Sequence, residues 1–118
     1  MKKNFFVYDT SKGFALFMKY NYSTSAGIES CGYKKKFSIN NPERYDASFF
    51  IINSIDDFIL FNNCYSLMKN IFISSPINLL KDKIISMGID DMVVLDFTHP
   101  KSEVLKTINQ NLMAKNIL

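Results

Sequence analysis

The chain has 118 residues, 47% of them apolar and 21% charged, with a net charge of +3. That length and composition suit one globular domain over residues 1–118 with a core of its own, and they exclude a disordered chain. The mild positive charge falls well short of the basic surfaces of nucleic-acid binders, so nucleic acid is not an expected partner.

Taken in order, Met1-Lys2-Lys3 leads into an apolar strand over residues 4–8 that is too brief for the core of a signal peptide. No apolar run approaches the ~20 residues that span a bilayer, so no membrane partner is expected and the expected location is cytoplasmic. Asp9, Thr10 and Ser11 supply capping side chains, and Phe14, Phe17 and Met18 then recur at helical spacing. A polar, small stretch over 21–26 ends that helix. Residues 27–32 and 33–39 are weak strand candidates, and Asn40-Asn41-Pro42 is turn chemistry. The densest basic run, Lys34-Lys35-Lys36, reads as a solvated strand end or loop rather than a phosphate patch. Cys31 and Cys64 have neither CxxC nor metal-ligand spacing, and Cys64 reads as a small buried hydrophobe on a helix.

Phe49-Phe50-Ile51-Ile52 is a run of four bulky apolar residues within a predicted strand over 47–53. Such a run fits a strand buried on both faces, as in a parallel sheet covered by helices. It stops at the uncharged amide of Asn53. Ser54 can cap the next helix, and Asp56 and Asp57 fall in its first turn, where the dipole favours negative charge. Phe58, Phe61, Tyr65 and Met68 follow at roughly helical spacing. Residues 70–74 make another short strand. Ser75-Pro76 then reads as an N-cap with proline at the first helical position, ahead of a stripe of Ile77, Leu80, Ile84 and Met87 closed by Gly88. The last strand is placed at 92–95. Thr98 or His99 caps a final helix whose inner face is Val104, Leu105, Ile108 and Leu112.

Strands alternating with helices imply an α/β domain with a five-stranded parallel sheet of order 2-1-3-4-5, right-handed crossovers and helices on both faces. Between Gly27 and Asp46 no amphipathic stripe is visible, so the second helix is expected to be shortened or missing.

Several short motifs then resemble the receiver domain of bacterial two-component response regulators. Gly88-Ile89-Asp90-Asp91-Met92-Val93 is similar to the Gly-Ala-Asp-Asp-Tyr-Leu that leads into the last receiver strand. Phe97-Thr98-His99-Pro100 followed by Glu103-Val104-Leu105 resembles the Phe-x-Pro-x-x-Leu start of the last receiver helix, and Tyr45-Asp46 resembles the lead-in to the central strand. The resemblance covers nearly the whole chain. It implies a set of groups at the strand ends: an acidic pair for Mg²⁺, an acceptor aspartate, a Ser or Thr, and a Lys. On this sequence those positions fall on Tyr8 and Asp9, on Asn53 (or Ile51 with the strand shifted by two), on Ser74 or Ser75, and on Leu95 or Asp96. Neither Asn nor Ile can form an acyl phosphate, and no lysine occurs between Lys83 and Lys101. The resemblance is therefore to a degenerate pseudo-receiver.

Asp9, Asn53, Asp56, Asp57 and Asp96 are placed at the C-terminal edge of the sheet, where this fold binds ligands, although capping alone accounts for these residue types. His99 is the only histidine and has Asp96 as a conceivable partner, without an assembled catalytic set. No hydrolase triad, Walker loop or dinucleotide fingerprint is present, so neither an enzyme nor a bound metal or cofactor is expected. In receivers the face of the fourth helix, fifth strand and fifth helix is the usual dimer and partner surface, which places a candidate interface at Leu95, Phe97, Lys101 and Val104. The expected function is a stand-alone, non-phosphorylatable regulatory module that binds a protein partner, a second copy of itself included. The alternative is a small-ligand or divalent-metal sensor using the edge of the sheet.

Overall fold

All five residues of the strand Ala47–Ile51 are buried, and successive side chains enter two separate cores. Phe49 joins Phe5, Val7 and Phe72 on one face; Phe50 joins Phe6, Tyr8 and Ile73 on the other. A strand with apolar residues on both sides has to be covered on both sides, and that requirement arranges the rest of the chain. The computed structural model describes residues 3–32 and 44–118.

Within them β1 (Lys3–Asp9), β2 (Ala26–Cys31), β3 (Ala47–Ile51), β4 (Ile71–Ser74) and β5 (Val93–Val94) pair in parallel in the order β2-β1-β3-β4-β5. The described helices are α1 (Gly13–Tyr22), α2 (Ile55–Cys64), α3 (Asn78–Ser86) and α4 (Lys101–Ala114). One face of the sheet is covered by α1 and α4 through Ala15, Met18, Val104, Ile108 and Leu112. The other is covered by α2 and α3 through Phe61, Cys64, Leu80 and Ile84. The α/β class, the parallel sheet and its 2-1-3-4-5 order are those expected from the residue pattern. The second strand candidate at 33–39, the Asn40-Asn41-Pro42 turn, Lys34-Lys35-Lys36 and most of the stretch from Gly27 to Asp46, where the second helix is expected to be shortened or missing, fall on residues outside those described. No helix among the described residues is long and apolar enough to cross a membrane.

Two helix starts differ from expectation, each because the expected capping side chain bonds elsewhere. Ser75 does not cap α3, which begins later, at Asn78; its hydroxyl donates to the Ile52 carbonyl (2.6 Å) and accepts from the Ile77 N–H (3.1 Å). That pairing makes a local turn and ties β3 to the start of the crossover. Neither Thr98 nor His99 caps α4. Pro100 occupies the N-cap position, and Thr98 donates instead to Asp96. At α1 the N-cap residue is Lys12 with φ 67°, and the capping acceptor is one of the side chains expected to serve, Asp9, whose Oδ2 takes the Phe14 N–H at 2.8 Å. Ser54 likewise caps α2 as expected, accepting the Asp57 N–H. The last strand is shorter than 92–95, although the Leu95 N–H still reaches the Ile73 carbonyl at 2.8 Å.

Phe49 lies in the middle of the α1/α4 core, stacked on Phe72 with ring centroids 4.6 Å apart. Phe49→Ala is expected to cost about 3–5 kcal/mol, read as a lower urea midpoint at unchanged slope, whereas Leu16→Ala on the exposed side of α1 should stay within about 0.5 kcal/mol.

Candidate functional site at the sheet edge

Parallel pairing brings the strand ends to one edge. Asp9 is opposite Ile51, and Ile51 is opposite Ser74, so β1, β3 and β4 finish in one row with Asn53 two residues beyond it. Two carboxylates are buried there, Asp9 at 1% exposure and Asp57 at 2%. Burying such groups is costly unless their oxygens are hydrogen-bonded. Asp9 Oδ1 accepts from the Ser11 N–H (3.1 Å), the Ser11 hydroxyl (2.8 Å) and the Asn53 side-chain amide (3.0 Å), while Oδ2 accepts from the Phe14 N–H. Asp57 Oδ1 accepts from the Tyr8 hydroxyl (2.9 Å), and Oδ2 from the Asn53 N–H (2.9 Å) and the Thr10 hydroxyl (3.4 Å).

Asn53 therefore joins the two acids. Its side chain donates to Asp9 and to Thr10 Oγ1 (3.2 Å), and its backbone donates to Asp57. An aspartate at this position would supply no side-chain donor in its charged form and would set a third carboxylate against the other two. Among the described residues no buried side-chain nitrogen or oxygen lacks a partner. Tyr8 is fully buried and stacks on Phe50. Burial first, and then the hydrogen bond to Asp57, hold its phenol well above the usual range, so it remains a neutral donor.

The expected site residues separate into two groups. Tyr8, Asp9 and Asn53 do converge, and Asp57 joins them. Ser74 does not face the site: its hydroxyl donates to the Leu95 carbonyl at 2.5 Å and is buried. Leu95 turns into the α1/α4 core at 1% exposure. Asp56 stays on the exposed side of α2. Asp96 takes a different set of partners, accepting from the Thr98 N–H and hydroxyl and lying 3.5 Å from Lys81 Nζ and 3.4 Å from His99 Nε2. The Thr98 hydrogen bonds, chiefly, bring its carboxyl down to about 2. Among the described residues no three His, Cys, Asp or Glu side chains gather closely enough to hold a metal ion. The candidate interface also needs correction. Leu95, which continues β5 beside β4, and Val104, on the inner face of α4, both belong to the core, which leaves Phe97 and Lys101 at the surface.

Thr10 was not singled out from sequence as a site member, and Asp57, placed at this edge from sequence, was read there as a helix-start residue rather than as a buried acceptor. A signal for Asp57 was present. Ser54-x-x-Asp57 has the spacing of a capping box, in which the third helical side chain reaches back to a preceding N–H. Here it reaches one residue farther, to Asn53. No family model matches the chain, and no curated protein matches it.

Two outcomes test this geometry. Asn53→Asp should lower stability by about 3 kcal/mol by removing donors and adding charge beside Asp9, with part of the loss recovered in millimolar MgCl₂; thermal melts with and without the salt would measure both. Stability should also fall at high pH. Burial pushes Tyr22 up to about 12 and Cys64 up to about 11, and Tyr8 is raised as well. The unfolded chain releases these protons first, near pH 9 for the thiol and near pH 10 for the phenols. The stabilisation is therefore complete below about pH 9 and is lost as pH rises through the folded values, and Tyr8→Phe should flatten the loss above pH 10 in urea titrations.

Proposed function

We propose that this domain is a receiver-like regulatory module that works without phosphorylation, acting in the cytoplasm by binding a protein and catalysing no reaction. The single observation that carries the reading is Asn53, at the position the resemblance assigns to the acceptor, whose side-chain amide donates to Asp9 while its backbone N–H donates to Asp57. Phosphoryl transfer to a receiver needs a carboxylate nucleophile beside a cation held by hard oxygen ligands. Here the corresponding residue is an amide and no nucleophile, and the oxygens of Asp9 are directed at N–H and O–H donors. The lysine position is a core leucine, and the Ser74 hydroxyl is held by the Leu95 carbonyl. Each of these features supports a scaffold retained without its chemistry. The receiver motifs at 88–93 and 97–105 and the 2-1-3-4-5 sheet support the family reading.

A domain that keeps the scaffold acts through its surface, and the binding role is carried over from the fold by analogy. Phe97 and Lys101 are the exposed members of the expected partner face, and the partner can be a second copy of the chain. Neither a membrane nor a nucleic acid is proposed as partner. The small-ligand alternative has one observation in its favour, an aromatic cleft beside this edge, whereas the divalent-metal form of it has no cluster of three ligating side chains among the described residues.

Incubation with acetyl phosphate and Mg²⁺, followed by intact mass measurement, is expected to leave the protein unmodified. A stoichiometric, acid-stable but base-labile phosphoryl adduct would overturn the proposal.

A further inference from the structure

We infer that the cleft between the first turns of α1 and α4 binds a small aromatic carboxylate. The cleft encloses about 290 Å³ and is walled by Phe14, Phe17, Phe97, Val104 and Lys101, with His99 also lining it. That volume is close to the lower end of ligand pockets, roughly 300 Å³, and sets the ligand at one or two rings. Phe14 stands 5.4 Å from Phe97 and 5.6 Å from Phe17 between ring centroids, with the planes inclined by about 30°. Rings grouped in this way offer faces and edges to a further ring in the offset geometry that aromatic pairs prefer. Phe97 is 37% exposed and Phe14 and Phe17 are half-buried, so the apolar surface is open to an incoming ring.

Charge selects the rest of the ligand. No Asp or Glu lines the cleft. The ion pairs of the described residues use Arg44, Lys81 and His99, so Lys101 has no acidic partner among them. Apolar walls with one unmatched cation favour a ligand with an apolar body and a single negative group. The dipole of α4, which starts at this cleft without a side-chain cap, adds potential of the same sign, offset in part by Glu103 in its first turn, which does not line the cleft. A cationic ligand would meet repulsion, and a neutral one would leave Lys101 without its counter-charge. A second groove of about 580 Å³ shares Gly13, Phe17 and Lys101 and continues between α1 and α4 past Leu16 and Tyr20, which gives room for a substituent on the ring. The sheet edge also shapes this site, because Asp9 holds the Phe14 N–H and so fixes one wall.

The inference rests on the small-ligand reading and shares Phe97 and Lys101 with the proposed partner face, but its test is separate: an acyl phosphate on the protein would overturn the pseudo-receiver reading and leave this one intact. The test uses 2-naphthoate as the probe, 2-naphthamide as its neutral isostere and octanoate as a non-aromatic anion, each titrated into the full chain by calorimetry and by NMR. Saturable binding of 2-naphthoate is expected at one site, with chemical-shift changes centred on Phe14, Phe17 and Phe97 and with at least tenfold weaker binding of the other two compounds. Lys101→Gln should bring 2-naphthoate down to the level of the amide and leave the amide unchanged, while Phe97→Ala should weaken both; both side chains are exposed, and unchanged melting of the variants verifies their fold. Absence of saturable binding, shift changes centred elsewhere, equal binding of acid and amide, or octanoate binding as tightly as 2-naphthoate would each overturn the assignment.

Discussion

The amide of Asn53 lies between two buried carboxylates, and much of the local architecture follows from keeping both of them satisfied. Asp9 ends β1 and, through the Phe14 N–H, begins α1; Asp57 lies in the first turn of α2 and, through the Tyr8 hydroxyl, grips β1. Asn53 connects the two from the end of β3. A buried polar network of this kind stabilises only when every member is paired, and a half-paired one costs more than an apolar replacement. The side chain at position 53 must therefore donate, and an amide can where a carboxylate cannot. That requirement gives Asn53 a structural reason to be present that is independent of any lost chemistry.

Behind the edge, the sheet gives the network a rigid base. β3 is buried on both faces, and its aromatic side chains pair with rings from β1, β4 and α2, including Phe49 on Phe72 and Phe50 on Phe61. The hydroxyls that follow the strands are used to secure the crossovers. Ser74 bonds across to the carbonyl of Leu95, and Ser75 to that of Ile52. An edge whose carboxylates, amide and hydroxyls already serve one another has few polar groups left to activate a substrate. The more open surface lies beside it, where Phe97 and Lys101 are exposed and Phe14 and Phe17, packed against the α1/α4 core, are only half-buried. The binding we infer would therefore use apolar surface and the Lys101 cation, next to a polar edge that is internally satisfied.

The elements were legible wherever a local pattern had only one physical use. A run of four bulky apolar residues at 49–52 has to be covered from both sides, and Ser54 followed by two acids reads as a helix start in isolation. The stripe of Leu80 and Ile84 ending at Gly88 likewise needs no tertiary information. Ser75 and Thr98 were misread for the opposite reason. A serine or threonine before a helical stretch can cap that helix or bond to another part of the chain, and the choice depends on acceptors contributed elsewhere, Ile52 O for one and Asp96 for the other. Leu95 and Val104 were placed on a surface by family resemblance, but their burial is set by which way β5 and α4 turn their faces toward α1.

Alternation, capping residues and apolar runs settle the class, the strand count and the position of Asn53 at a strand end, because each of these depends on neighbours within a few residues. They settle as well that position 53 holds no nucleophile, since that is a matter of residue type. Which acids are buried together was decided only when β1 and β3 paired in register and brought Asp9, Asn53 and Asp57 within hydrogen-bond reach across more than forty residues of sequence. The aromatic cleft has the same origin. Phe14 and Phe97 are remote in the chain, and their rings meet because α1 and α4 pack on the same face of the sheet.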